Sequence, residues 1–169
     1  LEKIDAVEID PVIYKFGLDL NPDKPFSDPR VRVHINDGRD FIQNTEEKYD
    51  LIVYALPDSL TLTGNASNIR LESFLFTKEA FEQARDHLSD DGLFAVYNFY
   101  REDWLIQKIA GILKEVFGKP PLVLSYGTSG KAAEFLSGPK LDLPGVLKEN
   151  IPPFVMNEKL EGTSDDWPF

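Results

Sequence analysis

The sequence contains no cysteine among its 169 residues, which excludes disulfides, thiolate zinc sites and a cysteine nucleophile. It has no apolar run near the ~20 residues that a membrane-spanning helix needs, and its first residues form no signal-peptide pattern. Basic residues are few, since 18 Lys and Arg stand against 29 Asp and Glu, for a formal charge of −11. That field repels phosphate backbones, so nucleic acid is not an expected partner, while a cationic substrate would be tolerated. These properties are compatible with the cytoplasm.

What the chain does contain is a globular composition, with a hydrophobic fraction of 42% and an aromatic fraction of 12%. Both values favour a packed domain over disorder. The sequence begins at Leu1, on what is typical of the lead-in to a strand. We therefore expect the chain to be a fragment of a longer protein.

Apolar runs alternate with helical stripes from residue 4 to about residue 126. This alternation predicts an α/β fold with a mostly parallel sheet. We assign residues 1–136 to a nucleotide-binding domain and residues 137–169 to a proline-rich tail or linker. The predicted strands are residues 4–9, 31–35, 49–55, 93–98, 122–126 and 132–136.

The helices between these strands carry clear end signals. Asp10 is placed to cap a helix that has Pro11 at its first position, and Thr77 is placed to cap another. Asp103 opens the clearest helix, which Gly118 would end. The strand at 49–55 is nearly all apolar in its middle, which predicts a parallel strand covered on both faces.

Glu8 lies at the end of the first predicted strand, and Asp10 follows it. Ligands of open α/β sheets bind at the carboxyl ends of strands, where a carboxylate can accept both hydroxyls of a ribose. The alternative is that Glu8 is a solvated strand end and Asp10 only a helix cap.

Two further strand ends carry candidate residues. Asp37 could accept a hydrogen bond from the exocyclic amine of a purine, while Gly38 would let the backbone approach a ligand closely. An ordinary Asp-Gly turn is the alternative. Asp58, after the third strand, could be a base or an ammonium anchor, although a plain turn residue is the interpretation that the sequence favours.

The order of these elements resembles the spermidine and spermine synthase family. In that family a strand ends in an acidic pair such as Glu8 and Asp10, and several short stretches follow at the same places. The resemblance covers about residues 4–126. The matching stretches are residues 28–31 (DPRV), 36–39 (NDGR), 49–52 (YDLI), 75–81 (LFTKEAF) and 88–92 (LSDDG).

The resemblance implies a Rossmann-like, methyltransferase-type fold with helices on both faces of the sheet. It implies an adenosyl donor, decarboxylated S-adenosylmethionine or S-adenosylmethionine, together with an amine acceptor and no metal. Glu8 would then bind the ribose and Asp37 the adenine amine, with Asp10 and Gly38 beside them. In the family the third strand runs into an aspartate that takes the proton of the attacking amine. Ala55 stands there and cannot act as a base, so Asp58 is the remaining candidate catalytic residue.

By the same resemblance, the first strand of the fold and its glycine-rich loop are missing upstream of Leu1. In the methyltransferase-type order that strand is central, lying between the strands at 4–9 and 49–55. Without that strand, the strands at 4–9 and 49–55 would each have an unpaired edge, and apolar surface next to them would be exposed. We expect the chain to close the gap, to pair with another chain, for example as a homodimer, or to be marginally stable.

The end of the tail, residues 163–169, resembles a TDDWPF segment of large bacterial proteins that join a spermidine-synthase-like domain to transmembrane helices. This implies the cytosolic domain of a membrane protein. The alternative is a loose tail with one aromatic anchor.

Three functions follow from the sequence. The first is an aminopropyl or methyl transferase that binds an adenosyl donor. The second is a non-catalytic nucleoside- or polyamine-binding module that regulates a membrane partner, which Ala55 favours. The third is a dinucleotide-dependent oxidoreductase, which requires a glycine fingerprint upstream of residue 1.

Overall fold

The computed structural model describes residues 1–57, 71–100, 102–126, 131–142, 154–157 and 160–167. The chain divides into two compact units, Leu1–Thr45 and Glu46–Phe169. We call them unit 1 and unit 2. The division falls just before the strand at 49–55 and differs from the predicted domain boundary near residue 136, which stays a prediction.

Unit 1 contains two strands and two helices. Strands β1 (Ile4–Glu8) and β2 (Val31–Ile35) are parallel neighbours, with Glu8 opposite Ile35 at their carboxyl ends. Helix α1 (Pro11–Asp19) follows β1, and helix α2 (Gly38–Asn44) follows β2. The predicted strands and helix starts of this region are confirmed.

The apolar stripe of α1 is exposed to solvent. Pro11 occupies the first turn and the Asp10 carboxylate accepts the Val12 amide proton at 2.7 Å, so the helix begins as the sequence indicates. None of its residues is buried, and Phe16 is 52% exposed. Val12, Ile13 and Leu20 are also exposed.

Unit 2 is built on a mixed sheet of four strands in the order β3-β4-β6-β5. Strands β3 and β4 are parallel, whereas β6 runs antiparallel to both of its neighbours. The α/β fold class is therefore confirmed, with β6 reversed. The strands are β3 (Tyr49–Ala55), β4 (Leu88–Tyr100), β5 (Leu122–Tyr126) and β6 (Lys131–Ser137).

Helices α3 (Lys78–Asp86) and α4 (Asp103–Phe117) cover one face of this sheet. Aromatic side chains form the centre of the core, and the Phe94 ring lies 5.1 Å from that of Tyr54 and 5.5 Å from that of Phe81. Alternate residues of β4 point into this core because side chains of a strand alternate between its faces.

The opposite face of the sheet exposes large apolar side chains. Leu51 and Val53 of β3 are 45% and 44% exposed, and Tyr97 and Phe99 of β4 are also exposed. The expectation that the strand at 49–55 is covered on both faces is therefore wrong for the described residues. The apolar residues in the middle of β3 favour apolar neighbours on both faces of the sheet. On the face that carries Leu51 and Val53, no described helix of unit 2 supplies them.

Strand β4 starts earlier than the sequence indicates. The Asp91-Gly92 pair, predicted as a turn before residue 93, lies inside β4, which begins at Leu88. The register between β3 and β4 shifts between Tyr49 and Leu51. A bulge-like irregularity thus absorbs the residues that resemble a turn.

Strands β1 and β3 are each at the edge of a sheet among the described residues. Strand β1 pairs with β2 and strand β3 pairs with β4, in separate sheets. The three expected outcomes, closure of the gap, pairing with another chain and marginal stability, stay predictions.

The described end of the tail is attached to the start of α3. The Lys78 amide donates to the Thr163 carbonyl at 2.9 Å, and the Thr77 hydroxyl donates to the Asp165 carboxylate at 2.7 Å. The Thr163 side chain is buried and donates to the Phe76 carbonyl at 2.8 Å. Trp167 lies beyond this attachment and is 79% exposed.

Candidate nucleoside site at the ends of β1 and β2

Glu8 and Asp37 follow or end neighbouring parallel strands of unit 1. The Asn36 amide donates to the Glu8 carbonyl at 3.1 Å, which joins the two strand ends directly. The Glu8 Oε1 atom accepts the Asp10 amide proton at 2.9 Å. Its Oε2 atom has no partner among the described residues, so a ligand hydroxyl could donate to it.

Asp37 caps α2 with one carboxylate oxygen. Its Oδ1 atom accepts amide protons from Arg39 at 2.8 Å and from Asp40 at 3.0 Å. The side chain is half-buried, and its Oδ2 atom has no partner within the described part of the chain. The cap therefore fixes the carboxylate while leaving one oxygen to accept from a ligand amine.

The other two candidate residues of this site have structural duties. Asp10 is the N-cap of α1 and is exposed, so its predicted role as a helix cap is confirmed, while its predicted place beside the ligand stays a prediction. Gly38 is the first residue of α2, and its φ is not positive. The prediction that a ligand can approach the backbone closely at Gly38 therefore depends on the absence of a side chain, and not on a left-handed backbone conformation.

A buried carboxylate in the same two strands was not foreseen from the sequence. Asp5 on β1 has a side chain only 2% exposed and accepts from Arg32 Nε at 2.9 Å. His34 Nε2 lies 2.9 Å from the same Asp5 oxygen. Burial raises the pKa of Asp5, but the hydrogen bonds from Arg32 and His34, with the charges of Arg32 and Lys3, hold the pKa well below its ordinary value. An acidic residue opposite a basic one in the parallel register could have signalled this cluster.

The DPRV stretch also has a local structural explanation. The Asp28 carboxylate accepts the Arg30 amide proton at 2.9 Å and two guanidinium contacts, at 2.9 Å and 2.6 Å. The Arg30 side-chain hydrogen bond holds the pKa of Asp28 below its ordinary value. This closed turn sets the entry into β2.

In unit 2, the carboxyl end of β3 has an unusual backbone. Ala55 is the last residue of β3, lies opposite Tyr97, and is exposed. Leu56 follows with a φ of 46°, while its amide donates to the Tyr97 carbonyl at 3.1 Å. A left-handed leucine is strained, and such strain is concentrated at functional sites. Asp58, the candidate catalytic residue, lies outside the described residues.

Within the described ranges, no group of three or more His, Asp or Glu side chains is arranged to hold a metal ion. None of the described helices is long and apolar enough to cross a bilayer. The membrane connection predicted from the tail therefore rests on the sequence alone.

Parallel strands followed by helices, with carboxylates at the strand ends, define an α/β domain of the Rossmann-like class. The family model of the spermine/spermidine synthase domain matches residues 1–120. The chain therefore belongs to the spermine/spermidine synthase family, as the sequence motifs indicated.

Individual relatives agree with this assignment. The chain is 26% identical over 172 residues to a polyamine aminopropyltransferase of Korarchaeum cryptofilum, covering 95% of this chain and 49% of that protein. It is 32% identical over 109 residues to a polyamine aminopropyltransferase of Thermococcus onnurineus, covering 60% of this chain and 36% of that protein. The chain thus spans half or less of the length of these curated relatives.

A solved structure shows the same fold. The spermidine synthase from Thermotoga maritima superposes with a TM-score of 0.64 at 16% sequence identity. The match covers 94% of this chain and 54% of that one. It supports the methyltransferase-like fold and carries no information about individual site residues.

Proposed function

We propose that this chain forms the nucleoside-binding part of an aminopropyltransferase-type enzyme, with decarboxylated S-adenosylmethionine as the donor. S-adenosylmethionine is the alternative donor, and an amine is the acceptor. The observation that carries the proposal is the pair of neighbouring strand ends at Glu8 and Asp37. Each carboxylate is held by a backbone amide through one oxygen and offers the other oxygen to a ligand.

Each carboxylate has a distinct part in this proposal. The Glu8 Oε2 atom would accept from the ribose hydroxyls, and the Asp37 Oδ2 atom would accept from the adenine amine. Both are charge-assisted hydrogen bonds, which are stronger than neutral ones. The amide contacts keep each carboxylate in place before the ligand arrives, which lowers the entropic cost of binding.

The reaction would be attack of the amine nitrogen on the carbon next to the sulfonium. The carbon–sulfur bond breaks, the sulfur leaves as a neutral thioether, and the nitrogen later loses a proton. Positioning of the two reactants and exclusion of water can supply most of the rate enhancement. Asp58 is the candidate group to take the proton or to anchor the ammonium, because Ala55 cannot do so.

Calorimetry with methylthioadenosine on the full-length protein tests the site. We expect saturable binding that is lost or weakened at least tenfold in Glu8→Gln and in Asp37→Asn, since each removes a charged acceptor. Glu46→Gln is the matched control, because Glu46 is exposed in unit 2. Equal binding by wild type and Glu8→Gln would contradict the proposal.

Ala55 specifically favours a second candidate, a module that binds the nucleoside or a polyamine without catalysis. An assay for methylthioadenosine release from the donor and putrescine separates the two candidates. Release by the wild type supports the transferase, whereas binding without release supports the module. In the second case we expect Ala55→Asp to introduce measurable release, because Ala55 is exposed and can accept a carboxylate.

A further inference from the structure

A cavity of about 450 Å³ lies in unit 2. Its wall includes Ser137, at the end of β6, which pairs with Phe94, the first residue of β4 that pairs with β6. Phe117 at the end of α4 and Leu122 at the start of β5 also line it. The cavity is therefore at the end of the β4–β6 pairing that contains Phe94, whereas Tyr100, the last residue of β4, lies at the other end.

The wall of this cavity is mostly apolar. Its volume falls within the range of about 300–1,000 Å³ that is typical of small-molecule sites. Only glycine fits at position 138 in the cavity wall, because its φ is +118° and a Cβ atom there would stand 2.6 Å from the Gly92 carbonyl oxygen. The apolar lining residues are Phe117, Pro120, Pro121, Leu122, Pro139 and Leu141.

One buried polar group in the wall has no partner. The Ser137 residue is 2% exposed, and its hydroxyl makes no hydrogen bond among the described residues. A buried hydroxyl without a partner is destabilising, because no hydrogen bond offsets the loss of its contacts with water. A ligand atom that accepts from Ser137 would remove that cost, so the group points to an occupant with an acceptor.

The charged groups in the wall favour an anion. Arg85 and Lys119 line the cavity together with a single lining carboxylate, Asp142, in a chain of net charge −11; Arg85 also forms an ion pair with Asp86, which does not line the cavity. Arg85 Nη1 is oriented by the Val116 carbonyl at 2.9 Å, and Lys119 forms an ion pair with Asp142. Two cations beside an apolar hollow are complementary to a ligand that has a ring and a carboxylate.

We propose that this cavity is a second binding site, which takes a small arylalkanoic carboxylate. The ring would lie against Phe117 and Leu122, and the carboxylate would accept from the Ser137 hydroxyl and contact Lys119. The site is independent of the nucleoside site, because none of its lining residues belongs to unit 1. Its failure would therefore leave the proposed function untouched.

Amide NMR titration of the full chain with 3-phenylpropionate tests the proposal. We expect saturable shifts at the amides of Ser137, Gly138 and Leu122, and an apparent Kd that rises with salt because the contact is ionic. The uncharged 3-phenylpropionamide should bind roughly tenfold more weakly. Shifts that are absent, unsaturable or centred elsewhere would overturn the site, and equal binding of the amide would overturn the ligand class.

Two variants test the named contacts. Ser137→Ala should weaken 3-phenylpropionate by roughly fivefold without lowering the thermal midpoint of the unliganded protein, because it removes an unpaired hydroxyl. Lys119→Gln should weaken the acid by roughly tenfold and the amide little. Ser125→Ala, an exposed serine of β5, is the matched control. Unchanged affinity in both site variants would overturn the proposal.

Discussion

Unit 1 and unit 2 differ sharply in how much apolar surface they bury. In residues 1–45, all of which the structure describes, Ile42 is the one buried hydrophobic side chain. Unit 2 buries Phe81, Phe94 and Phe135 completely, together with much of α4. The free energy of folding therefore comes mainly from unit 2, since buried apolar area is the dominant favourable term. The proposed nucleoside carboxylates, in contrast, belong to unit 1.

The largest effect is expected in the core of unit 2. Phe94→Ala removes a fully buried ring that lies 5.1–5.9 Å from three other aromatic rings. We expect the free energy of unfolding to fall by about 3–5 kcal/mol, because transfer and cavity costs add. Urea unfolding followed by circular dichroism measures the change.

The control for this variant lies on the same strand. Phe99 of β4 is 43% exposed on the opposite face of the sheet. Phe99→Ala should therefore cost less than about 1 kcal/mol. Comparable losses in the two variants would show that the exposed face of β4 is covered in solution, and the contrast between faces would fail.

The next effect concerns the ion cluster of unit 1. Asp5→Asn should lower the free energy of unfolding by about 1–3 kcal/mol near pH 7, since it removes the charge that Arg32 and His34 contact. The pKa of Asp5 is lowered in the folded protein. Its stabilising contribution is therefore present above the unfolded value of 3.8 and is lost as the pH falls below it.

Urea midpoints at pH 7 and pH 3 measure this dependence. The difference between wild type and Asp5→Asn should shrink at pH 3, because the carboxylate then takes up a proton on unfolding. Asp23→Asn, at an exposed loop position, should show no such convergence. A difference that grows at low pH would mean that the Asp5 pKa is raised.

A smaller effect is expected where the tail meets α3. The Thr77 hydroxyl accepts the Ala80 amide proton at 3.3 Å and donates to Asp165. Thr77→Ala should cost about 1–2 kcal/mol, because it removes the helix cap and leaves Asp165 without that donor. A double-mutant cycle with Asp165→Asn should show coupling of about 0.5–1.5 kcal/mol. Strict additivity would mean that the Thr77–Asp165 hydrogen bond does not contribute to holding the tail on α3.

Local signals in the sequence were enough to locate most elements. Asp10 before Pro11, Thr77 before α3 and Gly118 after α4 each act within one helical turn, and the structure places all three at helix ends. The Asp91-Gly92 pair misled because a strand irregularity and a turn use the same residues. A local signal such as a helix cap can be predicted from the sequence when it is compatible with only one local structure.

The sequence did not predict in the same way which faces of helices and strands are buried, or which residues meet across paired strands. The stripe of α1 and the middle of β3 are apolar, yet Phe16 and Val53 are exposed. Burial depends on what packs against an element, which its own residues do not state. The Asp5 cluster was missed for a related reason, because Asp5 and Arg32 meet through strand register. The neighbouring strand ends at Glu8 and Asp37 were predicted, since parallel strands bring their carboxyl ends to one edge.

The smallest effect is expected on α1, where the comparison of the two units can be broken most directly. Phe16→Ser replaces a ring that is 52% exposed on a helix with no buried residue. The free energy of unfolding should change by no more than about 0.5 kcal/mol, as at other exposed positions. Urea unfolding at several protein concentrations measures it. A loss above about 1.5 kcal/mol that grows with concentration would mean that a second copy buries the α1 face, because only association makes stability depend on concentration. Unit 1 would then gain its missing core from that partner.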